Sequence, residues 1–305
     1  MRKFVLLLLL MLAHAISAQQ LYIRTFGSEQ AKPMLFLHGG PGYNSANFEA
    51  SAAQKLADQG CFVIVYDRRG EGRSADENAK FTFEETISDV DRILSEYKIP
   101  KVTLIGHSFG GIVATYYAQK HPEKVNAVVL VGAPISLQES FANIIERCRK
   151  IYADKNDQSS LGYMDMLEKM DKNSLEFSSY CFMYAMQNGF YKPGLITPDA
   201  QKIYDDLKKT PEYKYATQMT PQGPKGFWKN ENYTSLDLSA DISDLSKKMK
   251  VIGLYGRDDG LYSENQIEKL SKLIGKDHVF YIENSSHNVF IDRQDEFLKI
   301  IKSQI

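Results

Sequence analysis

Six short runs rich in Val, Ile, Leu and Phe punctuate the chain: Met34–Leu37, Cys61–Tyr66, Val102–Ile105, Ala127–Val131, Val251–Tyr255 and Val279–Ile282. None alternates with polar residues, so both faces of each run must be buried, the pattern of strands inside a largely parallel sheet. Leu21–Phe26 is expected as an earlier edge strand. Between the runs, apolar residues recur at helical spacing. Helices are predicted over Phe48–Asp58, Thr82–Tyr97, Ile112–Lys120, Ser263–Ile274 and Arg293–Ile301, with Pro100 and His121–Pro122 as stop signals. Strand, helix and strand alternate, which predicts an α/β fold with a doubly wound sheet.

One interval breaks the rhythm. From Ile135 to Lys248 no buried-strand run occurs, and amphipathic stretches are joined by Pro-containing loops. An independent second domain here would leave the strands from Val251 onward without a sheet to join. The expected organisation is therefore a core over 19–134 and 249–305, with a helical cap inserted over 135–248.

Composition narrows the picture. The 305 residues are 43% hydrophobic and 25% charged with a formal net charge of −1, an ordinary globular balance that gives no reason to expect nucleic acid as a partner. At the N-terminus Arg2 and Lys3 precede the apolar run Phe4–Ala13 and small residues ending at Ala18. That is the layout of a secretory signal peptide over 1–18, too short for a membrane span, and it predicts an exported, periplasmic or secreted protein with no stable membrane insertion after cleavage. The three cysteines, Cys61, Cys148 and Cys181, have no metal-like spacing. No metal or cofactor is expected.

The chemistry concentrates in three places. Gly106-His107-Ser108-Phe109-Gly110 follows a strand and opens a helix, the context of a nucleophile elbow. Glycines flank the serine because neighbouring side chains would block so tight a turn. His38-Gly39-Gly40-Pro41-Gly42 follows the strand Met34–Leu37 and can aim a backbone N–H, that of Gly40, at a tetrahedral oxyanion, with the N–H of Phe109 as the second donor. Of six histidines only His287 lies in a loop after a late strand, on the same sheet edge as Ser108, so it is the expected general base. The acid that orients it falls between them in Gly256-Arg257-Asp258-Asp259-Gly260, where either aspartate could serve.

Together these residues resemble the α/β-hydrolase superfamily, and within it the proline iminopeptidase-like group. The resemblance runs from the His38 strand to the C-terminus and is weakest in the cap. His38–Gly42 matches the HGGPG signature. Asp67-Arg68-Arg69-Gly70-Glu71-Gly72-Arg73-Ser74 matches a D-Q-R-G-x-G-x-S segment, with Arg68 in the place of Gln. The family pattern G-x-x-D selects Asp259 as the acid and agrees with His287 as the base. Two departures concern the substrate. The elbow reads G-H-S-F-G rather than G-G-S-W-G, and Gly260 stands where some members carry a Glu that binds the substrate amine.

The resemblance implies a serine exopeptidase that releases an N-terminal residue, proline among the candidates, from short peptides. An esterase or amidase of small acyl compounds is the alternative, and a binding protein that has lost turnover is the reading from another class. For an exopeptidase, Glu231, set among Phe227, Trp228 and Tyr233, is the cap carboxylate expected to meet the amine, with Trp228 beside it.

Overall fold

The computed structural model describes residues 20–305; the signal peptide expected over 1–18 lies outside the described residues. Seven strands, β1 (Ile23–Phe26), β2 (Lys32–Leu37), β3 (Cys61–Tyr66), β4 (Val102–His107), β5 (Val125–Val131), β6 (Lys250–Gly256) and β7 (Val279–Ile282), form one sheet in the order β1-β3-β2-β4-β5-β6-β7. Only β1 is antiparallel. It is half-exposed and shorter than the run Leu21–Phe26 suggests, because ladder pairing begins at Ile23.

Alternate residues of each central strand enter opposite apolar layers. Leu35, Leu37, Phe62 and Ile64 face one layer, with Val90, Ile112, Tyr117, Leu245 and Leu270 from four helices, Phe83–Glu96, Phe109–Lys120, Ser239–Lys248 and Glu264–Ile274. Met34, Phe36, Val63 and Val65 face the other, with Phe48, Leu56, Phe297 and Ile301. A strand buried on both sides has no polar face to show, which is why its sequence does not alternate.

Between β5 and β6 the chain is helical. The neck of this insertion closes where Ser136 and Asp237 form an antiparallel bridge, flanked by Leu137 N–H to Leu236 O and Leu238 N–H to Ile135 O. The last helix before β6, Ser239–Lys248, then packs on Phe109–Lys120 and Glu264–Ile274 as part of the sheet layer. Ile242 and Leu245 of this helix are buried in the same apolar cluster as that face of the sheet. Cys61, Cys148 and Cys181 are buried free thiols, and burial pushes the Cys148 thiol up to about 11 and the Cys181 thiol up to about 12. No helix among the described residues is long and apolar enough to cross a membrane.

The register brings the C-terminal ends of five parallel strands level: Leu37 pairs with Gly106, His107 with Val131, Val131 with Leu254 and Gly256 with Ile282. The loops that carry His38, Ser108, Asp259 and His287 leave from these ends. Residues far apart in sequence thereby share one rim.

Candidate active site

Ser108 joins β4 to the helix Phe109–Lys120 with φ 52° and ψ −124°, a conformation a non-glycine residue rarely holds. The turn survives because its neighbours carry no side chains. A Cβ on Gly110 would stand 1.9 Å from the Leu37 carbonyl oxygen, and one on Gly106 would stand 2.6 Å from that of Gly110. The Ser108 N–H is tied to Val131 O at 2.9 Å, which fixes the turn on the neighbouring strand. Phe109 opens the helix, so its N–H has no preceding carbonyl in the helix to bond.

His287 Nδ1 lies 2.8 Å from Asp259 Oδ2, and both residues are buried. A carboxylate only accepts, so Nδ1 is the donor of this bond and Nε2 is the ring nitrogen left for other partners. Asp259 Oδ1 accepts the Leu261 N–H at 3.0 Å, which leaves the carboxylate little freedom to rotate. Asp258 does something else: it is half-buried and accepts the Gly194 N–H at 2.9 Å, holding a cap loop.

Two residues that sequence reasoning passed over support the histidine. His107, buried beside the elbow, donates from Nε2 to the His287 carbonyl at 3.0 Å. Burial holds its pKa well below the ordinary value, so it is a neutral donor here. Asp292 accepts the Ser286 N–H at 2.8 Å through one oxygen and the Tyr204 hydroxyl at 2.6 Å through the other. Neither contact leaves a local pattern in the sequence.

Ser108, Phe109, His287, Gly39 and Gly40 line one cavity of about 580 Å³ under the cap. Its walls are mostly apolar, with Ile112, Leu137, Phe182, Met186 and Leu261 among them. Tyr191 presents an edge to the His287 ring at 5.1 Å. Tyr233 lines the cavity while only 3% exposed, and among the described residues its hydroxyl has no hydrogen-bond partner. Among the described residues Lys192, which is exposed, is the one Lys or Arg of the lining, and no Asp or Glu contributes to it.

The residues expected to bind a substrate amine lie elsewhere. Glu231 accepts the N–H of Phe83 at 2.8 Å, the first residue of the helix Phe83–Glu96, and so caps that helix from the cap side. Trp228 donates its indole N–H to Asn173 O at 2.7 Å. Neither lines the cavity. The aromatic cluster splits because consecutive helical positions point about 100° apart: Phe227 enters the core, Trp228 turns outward, and Tyr233, after the helix, reaches the cavity. Glu231→Ala should lower stability by about 1–2 kcal/mol through the uncapped N–H, while kcat/KM stays within about twofold. Urea unfolding beside steady-state kinetics checks both; a large activity loss without destabilisation would return Glu231 to the site.

The model of the alpha/beta hydrolase fold family matches residues 32–294. The chain is 24% identical to a proline iminopeptidase of Pestalotiopsis fici over 297 residues, 95% of this chain and 97% of that protein. It is also 24% identical to the proline iminopeptidase of Saccharolobus solfataricus, with 97% and 94% covered. Among solved structures, a proline iminopeptidase-related protein from Thermus thermophilus superposes with a TM-score of 0.64 at 20% identity, covering 93% of this chain and 92% of that one. An esterase from Exiguobacterium antarcticum gives 0.60 at 19%, covering 93% and 94%. With the family model matching 263 residues (32 to 294 inclusive) of 305, the chain belongs to the α/β-hydrolase family and is a hydrolase similar to the proline iminopeptidases.

Proposed function

We propose that the chain is a serine hydrolase that cleaves ester or amide bonds of small, largely apolar acyl substrates lacking a free α-ammonium group. Ser108 Oγ attacks the acyl carbon while His287 Nε2 takes its proton. The carbonyl oxygen, now an oxyanion, is met by the N–H groups of Gly40 and Phe109. His287 returns the proton to the leaving oxygen or nitrogen as the acyl–heteroatom bond breaks. Water repeats the cycle on the acyl-enzyme, releasing the acid and restoring Ser108.

The observation that carries the substrate class is the cavity lining: apolar walls, Tyr233 with its unpartnered hydroxyl, the exposed Lys192 and, among the described residues, no carboxylate. A substrate ammonium would be desolvated there without a counter-charge, which is unfavourable. The second reading, an exopeptidase, is favoured by likeness to proline iminopeptidases over nearly the whole chain.

A panel of short acyl esters and amino-acid arylamides, free and N-acetylated, separates the two. Esters and N-acetylated arylamides should exceed their free-amine counterparts by about tenfold or more in kcat/KM, because the amine forfeits its hydration without a partner. Preference for the free amine would reverse the order of the readings.

A further inference from the structure

Beneath the wall of the cavity that carries Gly39 and Gly40 lies an ion pair that the acyl-transfer steps do not use. Arg68 Nη2 is 2.8 Å from Glu71 Oε2, with the side chains 2% and 0% exposed. Burying both charges costs desolvation, so such a pair is weak evidence of a purely stabilising role. Its remaining hydrogen bonds all go to one place. The guanidinium donates to the carbonyls of His38 and Gly39, through Nη1 and Nη2. Glu71 Oε1 accepts the Gly42 N–H at 2.8 Å. The Arg68 N–H donates to His38 Nε2 at 2.9 Å, and His38 Nδ1 then donates to the Gly39 carbonyl at 2.8 Å. Burial, with Arg68 nearby, keeps His38 well below its ordinary pKa and therefore neutral, which matches one ring nitrogen accepting and the other donating.

The Gly39 carbonyl is thus gripped from two sides, and this constrains the atom that faces the reaction. A trans peptide sets its C=O and N–H antiparallel. With the Gly39 oxygen turned toward Arg68, the Gly40 N–H on the same peptide plane points the opposite way. That N–H has no partner among the described residues, and the loop abuts the elbow: a Cβ on Gly39 would stand 3.1 Å from Ser108 Cβ. Glycine alone would not hold this arrangement, since a loop without side chains can rotate its peptide planes. The guanidinium also lies 5.0 Å from the ring of Phe109, the residue that supplies the other N–H.

We propose that Arg68, held by Glu71, is a positioning residue of the oxyanion hole: it clamps the Gly39 carbonyl so that the Gly40 N–H is aimed before substrate arrives. The proposal rests on Ser108 acting as the nucleophile. A planar fork suits the task because one Arg can serve two carbonyls and a carboxylate together, which the compact Lys ammonium does not match. Arg68→Met should therefore lower kcat by about 100-fold, the order expected when a preorganised donor is displaced, with KM within about threefold. Arg68→Lys should fall between. Glu71→Gln keeps an acceptor for the Gly42 N–H but removes the charge, and should lower kcat by about fivefold to tenfold.

The experiment measures kcat, KM and inhibition by an alkyl boronic acid, whose tetrahedral Ser108 adduct places an oxygen in the oxyanion hole. Loss of boronate affinity in parallel with kcat, at unchanged KM and in protein that melts cooperatively, supports the clamp. Should Arg68→Met not fold, Glu71→Gln carries the decision on the same readouts. Unchanged kcat, or a loss confined to KM, overturns the proposal even while wild-type turnover and Ser108 labelling stand. Absence of turnover and of fluorophosphonate labelling in the wild type would instead remove the nucleophile reading on which it rests.

Discussion

Ser108→Ala should abolish fluorophosphonate labelling and lower kcat by about 10⁴-fold or more, since removing a nucleophile leaves only binding and the oxyanion donors to act. Labelling and turnover should fall together, because in the proposed mechanism one oxygen atom performs both. The fold should survive. Alanine keeps the Cβ of serine and therefore the same backbone cost at φ 52°; the turn stays anchored by the Ser108 N–H to Val131, a main-chain bond the substitution does not touch. Ser108→Gly is the instructive companion. Glycine adopts positive φ without penalty, so this variant should be equally inactive yet more stable than Ser108→Ala by about 1 kcal/mol. Equal melting of the two would mean that the elbow stores no strain. Labelling that persists in Ser108→Ala would move the nucleophile elsewhere.

The core of the fold was legible because its strands are buried on both faces. Six apolar runs placed six strands, and their edges slipped where burial is one-sided. β5 starts at Val125 rather than Ala127, since the exposed Asn126 interrupts the run. The two ends of the cap neck, Ser136 and Asp237, meet through main-chain pairing, which side-chain pattern does not encode. The site was legible to the extent that backbone demands dictate residue type. Gly106 and Gly110 are needed for the turn, and the loop after β2 needs glycine at Gly40, where φ is 115°. Side-chain partnerships across the sheet were not. His107 reaches the carbonyl of His287, 180 positions away, and no local spacing announces it. The aromatics that crowd Glu231 in sequence suggest a place in the cavity, yet helical geometry parts Phe227 from Trp228, and Tyr233 lies beyond the helix end. Tyr233, from the same cluster, is the one that lines the cavity.

Asp259→Asn should lower kcat by about 10⁴-fold while Asp258→Asn costs less than about tenfold. The adjacent residues differ in burial and in what they touch. Asp259 Oδ2 accepts from His287 Nδ1 at 2.8 Å and its other oxygen is held by the Leu261 N–H, so the carboxylate fixes both the ring orientation and the tautomer. An amide at this position can turn its NH₂ toward Nδ1. The ring would then keep its proton on Nε2, where it cannot take one from Ser108 Oγ, and the imidazolium formed in the attack would lose its buried counter-charge. Asp258 Oδ2 receives only the Gly194 N–H, which an asparagine carbonyl accepts nearly as well. The loss in Asp259→Asn should shrink as pH rises, because hydroxide can stand in for the missing base; a structural defect would not recover in this way. Paired kcat measurements across pH on the two variants decide the matter. Equal losses, or a larger one in Asp258→Asn, would reassign the acid.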